Sequence, residues 1–154
     1  MSFRINGLPA EQFSSWFALN DEQLKQRSAR RVVAADKPGY PCRISLTDAD
    51  VGDEVLLINY EHQPVDSPYR ASHAIYIRAG EQTFDAVDEI PAMLRKRLLS
   101  VRGFDAQHML TAADVVEGTA LEAAIEKFFA QPETAYLHLH FAKPGCYAAR
   151  VERA

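Results

Sequence analysis

One segment constrains the fold more than any other, the closing stretch YLHLHFAKPGCYAARVERA. Apolar and polar side chains alternate over residues 136–141, which is the period of a β-strand with one apolar face. Pro144 and Gly145 suit the central positions of a type II turn, because proline fixes φ and glycine accepts a positive φ. The stretch therefore predicts a hairpin that joins 136–141 to 146–151 in an antiparallel sheet.

The length of the turn decides which side chains of this hairpin share a face. His138 and His140 point away from the apolar side of the first strand. A loop of two or four residues places opposite them, on the second strand, Tyr147, Ala149 and Val151. The same register puts Cys146 on the apolar side, so we expect no Cys146–histidine pair.

Helix and strand signals alternate irregularly along the rest of the chain. Apolar spacing and start signals predict four helices. The first follows Pro9, the second begins at a capping box of Asn20 and Gln23, and the third begins at Pro91. The fourth begins at a capping box of Thr119 and Glu122 and ends before Pro132. Strands are predicted over 30–35, 54–60, 73–78, 101–104 and 109–116, with a polar loop over 61–72. This order predicts an α+β fold, a largely antiparallel β-sheet with several short helices packed on it; a ββα-type barrel is the alternative.

The length and composition indicate one folded domain over residues 1–154. Apolar residues make up 47% of the chain and charged residues 25%, which is the balance of a globular protein. No repeat, low-complexity tract or Gly/Ser-rich linker divides the sequence. A chain of 154 residues is long enough to bury one core and short for two.

Charge and hydropathy exclude several classes of protein. Seventeen Lys and Arg against twenty-one Asp and Glu give a net charge of −4 without a basic block, so we expect no nucleic-acid partner. The N-terminus lacks the pattern of a signal peptide and no apolar run approaches a membrane span, so we expect a cytoplasmic protein. In reducing cytosol Cys42 and Cys146 are expected to be free thiols.

No common catalytic or cofactor motif is present. G-x-S-x-G, the Walker A loop, the dinucleotide fingerprint, paired C-x-x-C and H-E-x-x-H are all missing. The acidic stretch TDADVGDE lacks the offsets of a calcium loop and is interpreted as an acidic turn. We therefore predict no cofactor, and the sequence leaves open whether the protein is an enzyme.

Arg43 is the first candidate for ligand binding. It follows two prolines in YPCR, which restrict the backbone and can present the side chain rigidly. The guanidinium can hold a carboxylate or phosphate through two hydrogen bonds, or it can form a structural ion pair. The neighbouring Cys42 is either a small buried residue or, beside a positive charge, a nucleophile.

Tyr69 and Arg102 are further candidates, in loops and at strand ends. Tyr69 lies in the longest polar loop, where binding residues concentrate, although an ordinary turn with an exposed Arg70 is the alternative. Arg102 is a potential pocket residue. It could instead form a structural salt bridge with Asp105 around the glycine of RGFD.

His138 and His140 have two interpretations. They form either a polar, half-exposed strand face or the wall of a pocket. As metal ligands they supply only two nitrogens, and a third would have to come from His73, His108 or a carboxylate brought close by folding. We therefore predict no metal site.

Four blocks of the sequence stand out: YPCRISL, SPYRASHAIYIR, RGFDA and HLHFAKPGCYAARVER. They resemble the recurring blocks of a family of bacterial proteins of about this length, which is known as a domain of unknown function. The resemblance implies a bacterial protein of one domain and assigns no activity. The blocks contain Cys42, Arg43, Tyr69, Arg102, Asp105, His138 and Cys146.

Three hypotheses about function follow. In the first, the protein binds a small anionic molecule in a pocket lined by Arg43, Tyr69, Arg102, His138 and His140. In the second it is a non-catalytic interaction module, for which a homodimer is one form. In the third it is a thiol-based redox protein that uses Cys42 and Cys146.

Overall fold

Eleven strands and three α-helices make up the computed structural model, which describes residues 1–154. The strands are β1 (Phe3–Asn6), β2 (Arg30–Val33), β3 (Pro41–Cys42), β4 (Thr47–Asp48), β5 (Glu54–Gln63), β6 (Ala71–Ile77), β7 (Asp85–Val87), β8 (Leu98–Phe104), β9 (Leu110–Glu117), β10 (Tyr136–Phe141) and β11 (Tyr147–Arg153). The α-helices are α1 (Asp21–Gln26), α2 (Ala92–Arg95) and α3 (Leu121–Phe129). Short 3₁₀ segments cover Ala10–Gln12, Ser14–Ala18 and Gly118–Ala120. None of the helices has the length and hydropathy of a membrane-spanning segment.

The strands form two sheets. The first has six strands in the order β7-β1-β11-β10-β8-β9, and the second has five in the order β2-β5-β6-β3-β4. Every pairing is antiparallel except that of β3 with β6. The predicted α+β class is therefore confirmed, with the strands divided between two sheets.

The predicted C-terminal hairpin is confirmed at its turn. A four-residue loop links β10 to Cys146, whose carbonyl oxygen accepts a hydrogen bond from the Phe141 N–H at 2.9 Å. Gly145 has a φ of 83°, the left-handed region that only glycine adopts without strain. Its N–H donates to the carbonyl oxygen of Phe141 at 2.8 Å, which closes the turn.

A β-bulge changes the pairing farther from the turn. Its extra residue lies between the pair next to the turn and the rest of the ladder, so the register shifts by one. Ala149 and Val151 therefore pair with the leucines of β10, and the prediction that they face the histidines is wrong. Arg150 lies opposite His138 instead. Cys146 packs in the apolar cluster, as predicted.

The apolar face of the first sheet is covered by α2 and α3. Leu99, Val101, Leu137 and Leu139 lie in one buried cluster with side chains of both helices. In α3 the apolar residues recur at helical spacing, so one stripe of the helix faces the sheet. The same sheet therefore has its second face free to meet the second sheet.

The two predicted capping boxes have different outcomes. Asn20 and Gln23 form a full capping box at the start of α1, as predicted. At α3 no side chain caps the N-terminus, because residues 118–120 form a 3₁₀ turn that leads into the helix. The carboxylate of Glu122 pairs with Arg95 instead, which joins α3 to α2.

β5 is longer than predicted and this affects the site. The strand continues to Gln63, so the polar loop expected over 61–72 shrinks to 64–70. Leu56 and Ile58 pack with Tyr147 of the first sheet in a second buried cluster. Because side chains alternate along a strand, the longer β5 also directs His62 toward the first sheet.

Gly118 allows the close approach of α2 to the start of α3. A Cβ atom at Gly118 would lie 1.9 Å from the Leu94 carbonyl oxygen, whereas at Gly39 the nearest heavy atom would be 3.6 Å away. We expect G118A to lower the free energy of unfolding by about 1–3 kcal/mol, since the backbone must shift. G39A, the matched control, should change it by no more than about 0.5 kcal/mol. Urea denaturation measures both, and equal stability of the two variants would contradict this packing.

Candidate functional site

Three histidines meet between the two sheets. His62 comes from β5 in the second sheet, and His138 and His140 come from β10 in the first. One nitrogen of each ring lies within 4.8 Å of the other two. His138 and His140 are each 2% exposed, so of their two interpretations the half-exposed strand face is wrong. The site forms only when the sheets pack together.

The strand pairings explain which side chains surround the histidines. Directly opposite residues of antiparallel strands share a face. On one side Ser100 of β8 lies opposite His140, and Arg102 lies opposite His138. On the other side Tyr147 lies opposite His140, and the bulge brings Arg150 opposite His138.

The ring of Tyr147 packs against all three imidazoles. It stacks on His62 with a centroid distance of 5.1 Å and an interplanar angle of 14°. It meets His138 and His140 edge-on, at 5.0 Å and 5.8 Å. Such contacts restrict the rings to few orientations.

Burial keeps the three histidines neutral. It lowers the pKa of His138 to about 2, of His140 to about 3 and of His62 to about 4. The positive charge of Arg102 lowers all three further, while the backbone of Tyr60 opposes the shift at His62. At neutral pH each ring therefore has one nitrogen with a free lone pair.

Hydrogen bonding determines which nitrogen of His140 has a free lone pair. In His62 one ring nitrogen has no hydrogen-bond partner. Nδ1 of His140 lies 2.9 Å from the carbonyl oxygen of Gly145. A carbonyl only accepts, so this nitrogen carries the proton and Nε2 has the lone pair. Nδ1 of His62 is buried and receives no hydrogen bond of normal geometry.

Arg102 lies beside the histidines without a carboxylate partner. Its Nε donates to Ser100 Oγ at 3.2 Å, and no salt bridge reaches it. The expected ion pair with Asp105 is absent, because that carboxylate accepts hydrogen bonds from the backbone of its own turn. Burial lowers the pKa of Arg102, but a guanidinium remains charged at neutral pH.

A row of aromatic rings links Tyr69 to this cluster. Tyr69 is 39% exposed and meets Phe104 edge-on at 6.0 Å, and Phe104 stacks on Tyr136 at 5.3 Å. The Tyr136 hydroxyl lies 2.8 Å from both Gln63 Nε2 and His108 Nδ1. Tyr69 thus lies at the surface end of the row, away from the three histidines.

Arg43 lies in a different place from the other candidates. It is 1% exposed and bonds to two backbone carbonyl oxygens, those of Tyr147 at 2.8 Å and Pro41 at 2.5 Å. Its third partner is the sulfur of Cys146, at 2.9 Å from Nη2. The guanidinium also packs over Phe141 at 4.8 Å. No carboxylate pairs with it, so an ion pair is not the role of Arg43.

Arg43 lines a cleft of about 810 Å³. The side chains that line it include four cations and one carboxylate: Arg43, Lys96, Arg97 and Lys143, and Glu117. The buried Asp48 pairs with Arg97 at 2.5 Å and with Lys96 at 3.3 Å. Even with Asp48 included, the cations outnumber the carboxylates. Arg102, His138 and His140 do not line this cleft.

The two cysteines are free and buried, in different surroundings. Burial raises the pKa of Cys42 to about 12, so its thiol stays protonated and is a poor nucleophile. Cys146 lines the cleft and touches Arg43. Of the two interpretations of Cys42, the structure favours the small buried residue.

His62 was not among the residues predicted from the sequence. A third ligand was considered only at His73, His108 or a carboxylate, and the strand predicted over 54–60 ends two residues before His62. His108 instead contacts Tyr136, and His73 lies opposite Tyr60 on β6. The missed signal was alternation that continues past Tyr60 into His62.

The protein is thus a two-sheet α+β protein with a histidine cluster between the sheets and a cationic cleft beside the last hairpin. Residues 39–153 match the model of the family described as "Protein of unknown function (DUF1203)", so the chain belongs to that family and the resemblance is confirmed. The match includes the three histidines, Arg43 and the other charged side chains that line the cleft. No curated protein and no solved structure matches the chain.

The neutral histidines make the stability of the protein depend on pH. Their folded-state pKa values lie below about 6.5, the value in an unfolded chain, so only the unfolded state takes up these protons as pH falls. The stability is fully present above pH 6.5 and decreases below it. In H138F the unfolded state takes up one proton fewer. The fall in the free energy of unfolding between pH 6 and pH 4 should therefore be smaller by about 1.4 kcal/mol per pH unit. Urea denaturation across this range gives the slopes, and parallel curves for H138F and the parent would contradict the burial of a neutral His138.

Proposed function

We propose that the protein binds a small organic anion in the cleft beside Arg43. One observation carries the proposal: a buried guanidinium without a carboxylate partner lies in the wall of a cleft with excess positive charge. A buried charge is costly unless it is paired. Carbonyl oxygens and a sulfur satisfy its N–H groups only in part, and an anion in the cleft would supply the missing negative charge.

The chemistry of the lining indicates the class of ligand. Lys96, Arg97 and Lys143 add positive charge to that of Arg43, and lysine and arginine are the usual partners of carboxylates and phosphates. Tyr76 also lines the cleft, together with several aliphatic side chains. A volume of about 810 Å³ is within the usual range for small-molecule sites. We infer a ligand with one anionic group and an apolar body.

Lys143 provides the sharpest test because it is exposed, in the loop between β10 and β11, and makes no ion pair within the protein. Phenyl phosphate, benzoate and citrate serve as anionic probes, and benzyl alcohol as a neutral one. We expect at least one anion to bind more tightly than benzyl alcohol in isothermal titration calorimetry. K143E should weaken that binding at least tenfold, since it places a negative charge at the cleft.

The control is K127E, because Lys127 is an exposed lysine of α3 outside the cleft whose single ion pair, with Asp114, is long at 3.9 Å. It makes the same change in net charge and should alter the affinity less than twofold. A bound anion should also raise the free energy of unfolding, by about 2.7 kcal/mol at 100 times its dissociation constant. The proposal fails if no anion binds more tightly than benzyl alcohol, or if K143E and K127E change the affinity for the anion equally.

A further inference from the structure

We propose that His62, His138 and His140 form a binding site for a zinc ion. The inference is independent of the anion cleft, because none of these histidines lines it. It rests on the positions of three ring nitrogens from two sheets, which the fold brings within 4.8 Å of one another. Three protein ligands and one open position are the usual arrangement of a reactive zinc site.

The separation of the nitrogens is suitable for a single ion. Zn–N bonds of about 2.0–2.1 Å in a tetrahedral site place the nitrogens roughly 3.4 Å apart. The rings therefore need to turn or shift by about an ångström to reach the ion. His62 is at the end of β5 and is half-buried, so it has the most freedom to make this adjustment.

The hydrogen bond at His140 matches that of a metal-ligating histidine. Such a histidine usually donates its second ring N–H to a carbonyl or carboxylate, which orients the ring. His140 does this with the carbonyl oxygen of Gly145. His62 has a buried Nδ1 with no hydrogen bond of normal geometry, and buried polar atoms without a partner are rare in folded proteins. A metal ion bound through Nδ1 of His62 would give that nitrogen a partner.

The type of donor selects the ion. Only imidazole nitrogens belong to the group, without a carboxylate or a thiol. Magnesium and calcium prefer oxygen ligands, whereas imidazole suits zinc, copper, nickel and cobalt. Zinc needs no redox partner and accepts tetrahedral geometry readily, so it is the ion we assign.

The charges near the site define the fourth ligand. Arg102 lies opposite His138 and has no carboxylate partner, so it repels a cation placed among the rings. Arg150, on the other side of His138, is paired with Glu152 at 2.7 Å. An anionic fourth ligand, hydroxide or a small carboxylate, would offset the repulsion and accept a hydrogen bond from Arg102.

The first measurement is the binding of Zn²⁺ to protein without a polyhistidine tag, after treatment with EDTA. We expect one ion per chain by calorimetry, and Co²⁺ in its place should give the intense visible bands of a four-coordinate ion. Mg²⁺ should not compete. No binding of Zn²⁺, or only the weak bands of six-coordinate Co²⁺, would overturn the proposal.

The second measurement compares variants of two half-buried histidines. H62Q removes one ligand and should weaken Zn²⁺ binding at least a hundredfold, whereas H73Q on the neighbouring strand should leave it within threefold. Urea denaturation of both metal-free variants verifies that they fold. An equal loss of Zn²⁺ affinity in H62Q and H73Q would refute the site.

The third measurement separates the histidines from the thiols. C146A should retain Zn²⁺ affinity within threefold, because Cys146 packs on the other face of the hairpin. If C146A loses the ion while H62Q keeps it, a thiol holds the metal and the proposal is wrong. H140A, which removes the histidine bonded to Gly145, should lose the ion as H62Q does.

Discussion

The hairpin of β10 and β11 is buried on both of its faces, and the rest of the structure depends on this. Every residue of β10 is buried, although its sequence alternates between apolar and titratable side chains. The apolar face packs against α2 and α3, which is the ordinary arrangement of a helix layer on a sheet. The titratable face packs against the second sheet instead of water. Its polar atoms must therefore find partners inside the protein.

At both proposed sites a buried polar group lacks full pairing, and the same holds for Oε1 of Glu81 and Oγ1 of Thr134. Among the three histidines, one nitrogen of His62 has no hydrogen bond and the charge of Arg102 has no counterion. On the other side of the hairpin, Arg43 is surrounded by neutral acceptors although it is a cation. Elsewhere buried charge is paired, as at Asp48, where Arg97 and Lys96 hold the pKa below its usual range against the effect of burial.

Much of the fold follows from local patterns in the sequence. The hairpin turn at Gly145, the capping box of α1 and the apolar stripe of α3 are each determined by residues within one element, and all three were predicted. The start of α3 was predicted incorrectly. Glu122 pairs with Arg95 of α2 instead of forming the local capping box. Two sheets instead of one could not be read from strand signals, since these do not specify which strands pair.

The candidate site was harder to predict, because its geometry depends on long-range packing. Alternation placed His138 and His140 on one face correctly, but no local pattern revealed that a second sheet would cover it. The bulge that brings Arg150 opposite His138 has no signal in a single strand, because it depends on how two strands pair. His62 joined the site only because β5 extends past its apolar core residues. Alternation within β10 therefore identifies His138 and His140, but it cannot identify His62, which lies on another strand.

The turn between β10 and β11 joins the two sites physically. Lys143, Pro144 and Cys146 line the cleft, while the carbonyl oxygen of Gly145, between them in sequence, bonds to His140. Tyr147, which follows Cys146, accepts a hydrogen bond from Arg43 through its carbonyl oxygen, and its ring packs against the histidines. An anion that draws the turn toward Arg43 would thus move the group that orients His140. Residues 143–147 therefore contribute contacts to both sites.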